Sequence, residues 1–463
     1  MTLFANADLT TWGHDETRHL QLGDSRCSVR VAAMLERMSE QPCGRISGTF
    51  ATSAERQAAY GIVENPRFSH QQLARSSHIE TALRIGAAAE VIVAIDGTGL
   101  AVAHRGASFG PISGKATRGG AHAMTAYAVA LDGVPLGLIA QEFWTRKKQH
   151  SPAYPQDLRP IEDRETGHWL KTISATCATL ARYAPHVRPW FVLDRGGDCA
   201  TVIDWVMQLR ASLTVRACYD RNVLDGKLWE QAAHAPLLGT YQFNVKPAGE
   251  RRRIATIQVR ARPVEMRLAL GPLQRGEIRR PTLWVVEARE IGRRRAPILW
   301  RLLTTKPADT FARARLVIST YARRWRVEEF HRAWKSGACD IENSFLRKPE
   351  HFYKWATLAA IVAARLERLK FLSRAEPARP ALDEYTRDEI DAAILLRQPK
   401  GIRRGATPTL GEMTRWVADL GGYLGKSSGG PPGTVVLRRG WMKIMPVVQA
   451  LVNLRNDREN CDE

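Results

Sequence analysis

Three carboxylates stand where they could share one task. Asp96 closes the apolar run Val91-Ile-Val-Ala-Ile95, and Asp194 closes the similar run Trp190-Phe-Val-Leu193. Glu328 lies in the segment Tyr321-Ala-Arg-Arg-Trp-Arg-Val-Glu-Glu-Phe-His-Arg-Ala-Trp-Lys335. A short uninterrupted apolar run reads as a buried strand, so each aspartate is expected at a strand exit. In the third segment Tyr321, Arg324, Glu328 and Lys335 are spaced by three, four and seven. At about 100° per residue these four side chains share an arc of roughly 60° on one helix face. Cationic and hydrogen-bonding groups on such a stripe can grip successive phosphates while the carboxylate stays free to coordinate a cation. Three carboxylates brought together repel one another unless a cation joins them. An all-oxygen set suits Mg²⁺, with Mn²⁺ as a substitute, and a pair of ions can activate an attacking oxygen while stabilising a leaving one. Each feature alone has a plainer reading. The stripe can be a solvated face laced with i,i+4 ion pairs, and an aspartate after a strand can be a turn or helix cap. Their joint occurrence in a strongly basic chain favours metal-assisted phosphoryl transfer.

The elements that must position these residues follow from pattern. Residues 1 to about 75 carry helical spacing, as in Val29-Arg-Val-Ala-Ala-Met-Leu-Glu-Arg-Met38, and read as a small helical domain. Two strands, Ala123 to Leu131 and Val134 to Trp144, flank Asp132-Gly133, a strong hairpin signal beside the first strand. A helix over about Gly167 to Tyr183 leads to the strand that ends at Asp194. A further helix, Ala200 to Leu209, precedes a fifth strand, Leu213 to Tyr219. This order predicts an α/β core with a mixed sheet covered by helices. From about 220 to 305, strand candidates laced with arginine read as a β-rich insertion. One long helix is expected from the N-cap Asp309 to about Ser336, with Gly337 ending it. The core then spans 76–373, and 374–463 form a C-terminal helical domain containing the loop Gly425-Lys-Ser-Ser-Gly-Gly-Pro-Pro-Gly433. That loop lacks P-loop spacing and is expected to be a plain connection. No internal repeat is visible.

Composition narrows the class. The 463 residues, 44% of them apolar, can bury a sizeable core. The start lacks a signal-like apolar segment, and no stretch reaches about 18 apolar residues, so neither export nor a membrane partner is expected. Seven scattered cysteines without a C-x-x-C pair read as reduced thiols of a cytoplasmic protein. The 68 Lys and Arg against 47 Asp and Glu leave +21, which points to a polyanionic partner. The excess is steepest from Arg251 to Lys306, with fifteen basic residues against four acids, as a phosphate-tracking surface would need.

With Tyr321, Arg324, Glu328 and Lys335 in the pattern Y-(2)-R-(3)-E-(6)-K, the chain resembles the insertion-sequence-four family of bacterial cut-and-paste transposases, the group that includes the Tn-five transposase. The resemblance covers nearly the whole chain and is thin after about Lys370. It implies a ribonuclease-H-like core in which Asp96, Asp194 and Glu328 hold the metal ions, with Tyr321, Arg324 and Lys335 on DNA. It also implies a bacterial, nucleoid-associated enzyme that nicks a transposon end with water and lets the freed 3′-hydroxyl form a hairpin. A second water opens that hairpin before the end is joined to target DNA. Leu22-Gly-Asp-Ser-Arg-Cys-Ser-Val-Arg30 and Ala59-Tyr-Gly-Ile-Val-Glu-Asn-Pro66 resemble the family's end-recognition domain, which implies that Arg26 and Arg30 touch transposon-end DNA. The C-terminal region would be a dimerisation domain, giving a homodimer on DNA.

Arg216 resembles a family position near bound DNA and is equally a surface charge on a strand. Trp300 resembles the family tryptophan that stacks near a flipped base and is equally a core residue. His331, Trp334 and Trp325 are expected to pack against the sheet. Where relatives often carry Asp-Arg-Glu-Ala-Asp, this chain has Asp194-Arg-Gly-Gly-Asp198, so any role of the third acid is absent. Two other classes stay open: a metal-dependent nuclease that cleaves without joining, and a transposase-derived inhibitor or DNA-binding protein without catalysis.

Overall fold

The computed structural model describes residues 12–103, 108–112, 119–146, 164–245, 253–270, 277–292, 297–425 and 431–461. The first eleven residues, most of the Gly425–Gly433 loop and parts of the basic 251–306 segment therefore lie outside the described residues. Five helices come first: α1 (Trp12–Thr17), α2 (Ser25–Glu40), α3 (Ile46–Thr49), α4 (Ser53–Val63) and α5 (His70–Leu83). Their starts are set by side chains that accept otherwise orphaned backbone N–H groups. Asp24 caps α2, and Thr52 with Glu55 and Ser69 with Gln72 form reciprocal capping boxes on α4 and α5.

Next come β1 (Glu90–Ala101), β2 (Gly110–Pro111), β3 (Gly119–Val129), β4 (Pro135–Trp144), α6 (Glu165–Tyr183), β5 (Arg188–Leu193), α7 (Ala200–Gln208) and β6 (Ser212–Arg216). The 222–304 region holds β7 (Asn222–Val223), β8 (Gly226–Lys227), α8 (Leu228–Ala233), β9 (Leu237–Val245), β10 (Arg253–Glu265), β11 (Leu268–Ala269), β12 (Ile278–Arg279), β13 (Thr282–Ile291) and β14 (Leu299–Thr304). The chain continues with α9 (Phe311–Arg323), α10 (Trp325–Lys335), α11 (Pro349–Ala375), α12 (Arg387–Arg397), α13 (Leu410–Leu420) and α14 (Thr434–Cys461).

Ten strands form one sheet in the order β2-β3-β1-β5-β6-β14-β13-β10-β9, with β4 also on β3. The β1–β5 and β5–β6 pairs are parallel and the remaining pairs antiparallel. The β3–β4 turn uses Asp132-Gly133 as expected: Gly133 takes φ +101, and Asp132 Oδ1 accepts from Val134 N at 2.9 Å. The inserted strands extend the sheet itself, because β14 pairs with β6 through Leu302–Arg216, Leu303–Val215 and Thr304–Thr214. A buried chain of hydrogen bonds crosses that seam, from Trp190 Nε1 to Thr214 Oγ1 and from there to Thr304 Oγ1, each 2.9 Å.

Period-two alternation divides the sheet between two cores. Val91, Val93, Ile95, Phe191 and Leu193 face α6 and α7, whereas Ile92, Ala94, Trp190 and Val192 face the side of α9, α10 and α11. The long α11 is buried over most of its length and packs on β4, α5, α10, α2, α13 and α14.

Three expectations need correction. β1 does not end at Asp96 but continues to Ala101, since β3 still pairs with it after β5 has stopped. The long helix is two helices meeting at Arg324, where i→i+3 bonds (Arg324 N to Tyr321 O, 3.0 Å; Val327 N to Arg324 O, 3.1 Å) tighten the backbone. Its N-cap is Thr310, whose hydroxyl accepts from Arg313 N, while Asp309 pairs with the Arg313 side chain at 2.8 Å. Among the described residues no helix is long and apolar enough to cross a membrane.

Candidate active site

The last parallel pair between β1 and β5 is Ile95–Leu193, so the next residues on the two chains are Asp96 and Asp194. Both continue the face of Ile92, Ala94, Trp190 and Val192, the face that α10 covers. Asp194 also caps a short 3₁₀ turn, its Oδ1 accepting from Gly196 N at 2.8 Å. Glu328 comes down from α10. Arg324 joins the acids: its Nη2 donates to Glu328 Oε1 at 3.0 Å and its Nη1 lies 3.8 Å from Asp96 Oδ2.

The charges are strongly coupled. Burial pushes the Asp96 carboxyl up to about 7, with Glu328 and Asp194 adding to the rise and Arg324 opposing it. Arg324 is itself buried, and its Nη1 has no hydrogen-bond partner. Tyr321 is pushed up by burial while Arg324 and Arg216 act the other way. The Trp300 ring meets Tyr321 edge-on at 5.2 Å, and Arg216 donates to Leu299 O at 3.3 Å beside it. Lys335 Nζ donates to Thr98 Oγ1 at 3.1 Å and lies 3.5 Å from Glu342. Thr98 is two residues beyond Asp96 on β1, hence on the same face.

Asp96, Asp194, Glu328, Tyr321, Arg324, Lys335, Arg216 and Trp300 are thus gathered around the ends of β5 and β6 beneath α9 and α10. Arg26 and Arg30 are held elsewhere, exposed on α2, which packs on α1, α4, α11 and α14. Arg26 pairs with Asp24 at 3.0 Å.

The donor set is all oxygen and carries excess negative charge, which suits a hard divalent cation. Among the described residues, however, no three of His, Cys, Asp and Glu lie close enough to share one ion, and the guanidinium of Arg324 spans Asp96 and Glu328.

His331 and Trp334 are buried, as expected, with Trp334 set between Phe143 of β4 and the carbonyl of Ala356 on α11. Trp325 is 52% exposed because it lies on the side of α10 opposite Phe330 and Trp334. Several partners were not read from sequence. Thr98 was within reach of the period-two rule, but Glu342 belongs to a separate turn and carries no local signal. Asp198 is buried and accepts from Cys218 N at 2.6 Å and Arg221 Nη2 at 2.6 Å, tying the turn after Asp194 to the exit of β6.

The protein is of the mixed α/β class, a large mixed sheet with helices at both ends that carries acids and cations beneath a crossing helix. Residues 87–364 match the family model described as transposase DDE domain, and residues 9–68 match the one described as transposase DNA-binding. The chain belongs to the transposase DDE domain family. It is a DDE transposase, and its partner is DNA; such domains generally use divalent metal ions.

Proposed function

We propose that the chain is a cut-and-paste transposase of the insertion-sequence-four, Tn-five-like kind, with Asp96, Asp194 and Glu328 as its metal-binding triad on a ribonuclease-H-like core. The observation that carries this reading is the register of β1 and β5, which makes the two aspartates neighbours under the helix of Glu328. Two Mg²⁺ ions, or Mn²⁺ in their stead, held by these carboxylates would supply Lewis acidity to the scissile phosphodiester. The chain's own cations do the rest. Lys335, steadied by Thr98 and Glu342, presents an ammonium to a phosphate, and Arg324 exchanges carboxylate for phosphate contact as DNA arrives. Water is the nucleophile of the nick, and the freed 3′-hydroxyl that of hairpin formation and strand transfer. Trp300 and Tyr321 offer aromatic faces to an unstacked base, with Arg216 on the adjoining phosphates.

The N-terminal region, about 1–75, binds the transposon end through Arg26 and Arg30. The catalytic domain spans 76–373 with the β insertion at about 220–305, and 374–463 form the dimerisation domain of a homodimer on bacterial nucleoid DNA. The test is a pre-cleaved end incubated with target DNA and Mg²⁺. Joined product supports this reading, cleavage of an intact end without joining supports a nuclease, and binding with neither supports a transposase-derived inhibitor.

A further inference from the structure

Asp96 belongs to a polar row that runs across three strands. The register sets Asp96 of β1 opposite Thr125 of β3, and Thr125 opposite Gln141 of β4. Thr125 and Gln141 are both buried, and Gln141 Nε2 donates to Thr125 Oγ1 at 3.2 Å. His331 of α10 lies over the row, buried, with Nε2 at 3.3 Å from Thr125 Oγ1 and Nδ1 at 3.7 Å from Asp96 Oδ2.

The direction of these contacts follows from counting protons. The His331 ring is buried with its Nε2 against the Thr125 hydroxyl, which has one hydrogen to give. Thr125 Oγ1 already accepts from Gln141, and its own hydrogen has His331 Nε2 in reach. A hydroxyl donating to Nε2 makes that nitrogen the bare one and leaves the proton on Nδ1, the nitrogen that faces Asp96. At 3.7 Å the last link is longer than a hydrogen bond, as such links often are before the reactive complex forms.

We propose that His331 is a positioning residue for Asp96, its Nδ1–H set by the Gln141–Thr125 row so that it aims and holds the carboxylate. The inference rests on the reading of Asp96 as a metal ligand, and it gives a buried helix residue a task beyond packing beside Phe330 and Trp334. Carboxylates that bind metals are themselves held by such outer hydrogen bonds, whose loss typically weakens metal binding about ten- to hundredfold.

The test is Mn²⁺ binding to the full chain without DNA, followed by the electron-paramagnetic-resonance signal of free Mn²⁺, with a melting curve for each variant. His331→Leu should weaken Mn²⁺ by about tenfold or more. His331→Asn, whose amide nitrogen can stand near the position of Nδ1, should recover most of the loss, whereas His331→Gln, which puts its amide nearer Nε2, should not. Equal affinities for the Leu and Asn variants, or parent-like affinity for Leu, would overturn the proposal. Should the His331 variants fail to fold, Thr125→Val removes only the hydroxyl that orients the ring. Several-fold weaker Mn²⁺ binding then supports the proposal and parent-like binding overturns it. Asp96→Asn separates the two levels: if it binds Mn²⁺ like the parent, the metal-ligand reading of Asp96 fails. If it loses Mn²⁺ while His331→Leu does not, only the role of His331 falls.

Discussion

Asp96 keeps 13% of its side chain exposed and shares Arg324 with Glu328, whereas Arg26 keeps 87% exposed and pairs with Asp24 two residues away. The first group, a carboxyl, sits in a low-dielectric setting beside Arg324, Glu328 and Asp194, so its state depends on each of them. The second is bathed in solvent, where ion pairs contribute little and salt screens what remains. Under α10, therefore, one substitution should act strongly and on one step. On α2, single substitutions should act weakly, additively and less as ionic strength rises.

The sharpest way to break this comparison is to remove one acid. Glu328→Gln, Asp96→Asn and Asp194→Asn should each cut end cleavage by at least about a thousandfold, about 4 kcal/mol, while end binding changes by no more than a few-fold. Gel assays of nicking and binding on one substrate check this, and parent-like cleavage in any variant removes that residue from the triad.

Next in size, Lys335→Ala should lower cleavage by roughly ten- to hundredfold and binding by less than about threefold, because one ammonium among many adds little affinity. Equal losses in both assays would make Lys335 a generic phosphate contact. Trp300→Ala should slow hairpin formation by a similar factor, from about 1 to 3 kcal/mol of lost stacking, and spare the first nick. If instead the melting temperature falls and both steps slow together, the ring against Tyr321 serves only packing.

On α2 the expected effects are smaller. Arg26→Ala and Arg30→Ala should each weaken end binding a few-fold and reduce the log-log salt slope by about 0.9. A salt titration that leaves both variants with the parent's slope would detach α2 from the DNA.

The smallest effect concerns stability. Burial raises the Asp96 carboxyl from 3.8 to about 7, so the stability that goes with its protonated form is fully present below about pH 4 and is lost as pH rises through 7. In metal-free buffer Asp96→Asn should gain on the parent by a few degrees between pH 4 and 7 and hold that margin above. Melting curves across that range check the sign; a margin that shrinks with pH would mean that Arg324 outweighs burial.

Local chemistry was readable wherever a residue's task depends on near neighbours in the chain. The apolar runs before Asp96 and Asp194, the Asp132-Gly133 turn and the Tyr321-to-Lys335 stripe all obey short-range rules of period, turn and helix geometry. Reading failed where two local signals competed. Asp309 and Thr310 are both good N-caps, and Arg313 draws Asp309 into an ion pair, leaving the cap to Thr310. Trp325 is expected against the sheet with His331 and Trp334, but its place on the helix turns it away from Phe330 and Trp334.

The sequence by itself determined which residue types could act and which face of each element they would share, because backbone periodicity is set within a few bonds. Only the tertiary structure decided that the pairing of β1 with β5 ends at Ile95 and Leu193, and that Arg324 falls between Asp96 and Glu328. It also brought Glu342 to Lys335, and His331 to Thr125 and Asp96. Those choices depend on strands and helices far apart in the chain, whose relative placement is fixed by burying both faces of one sheet at once.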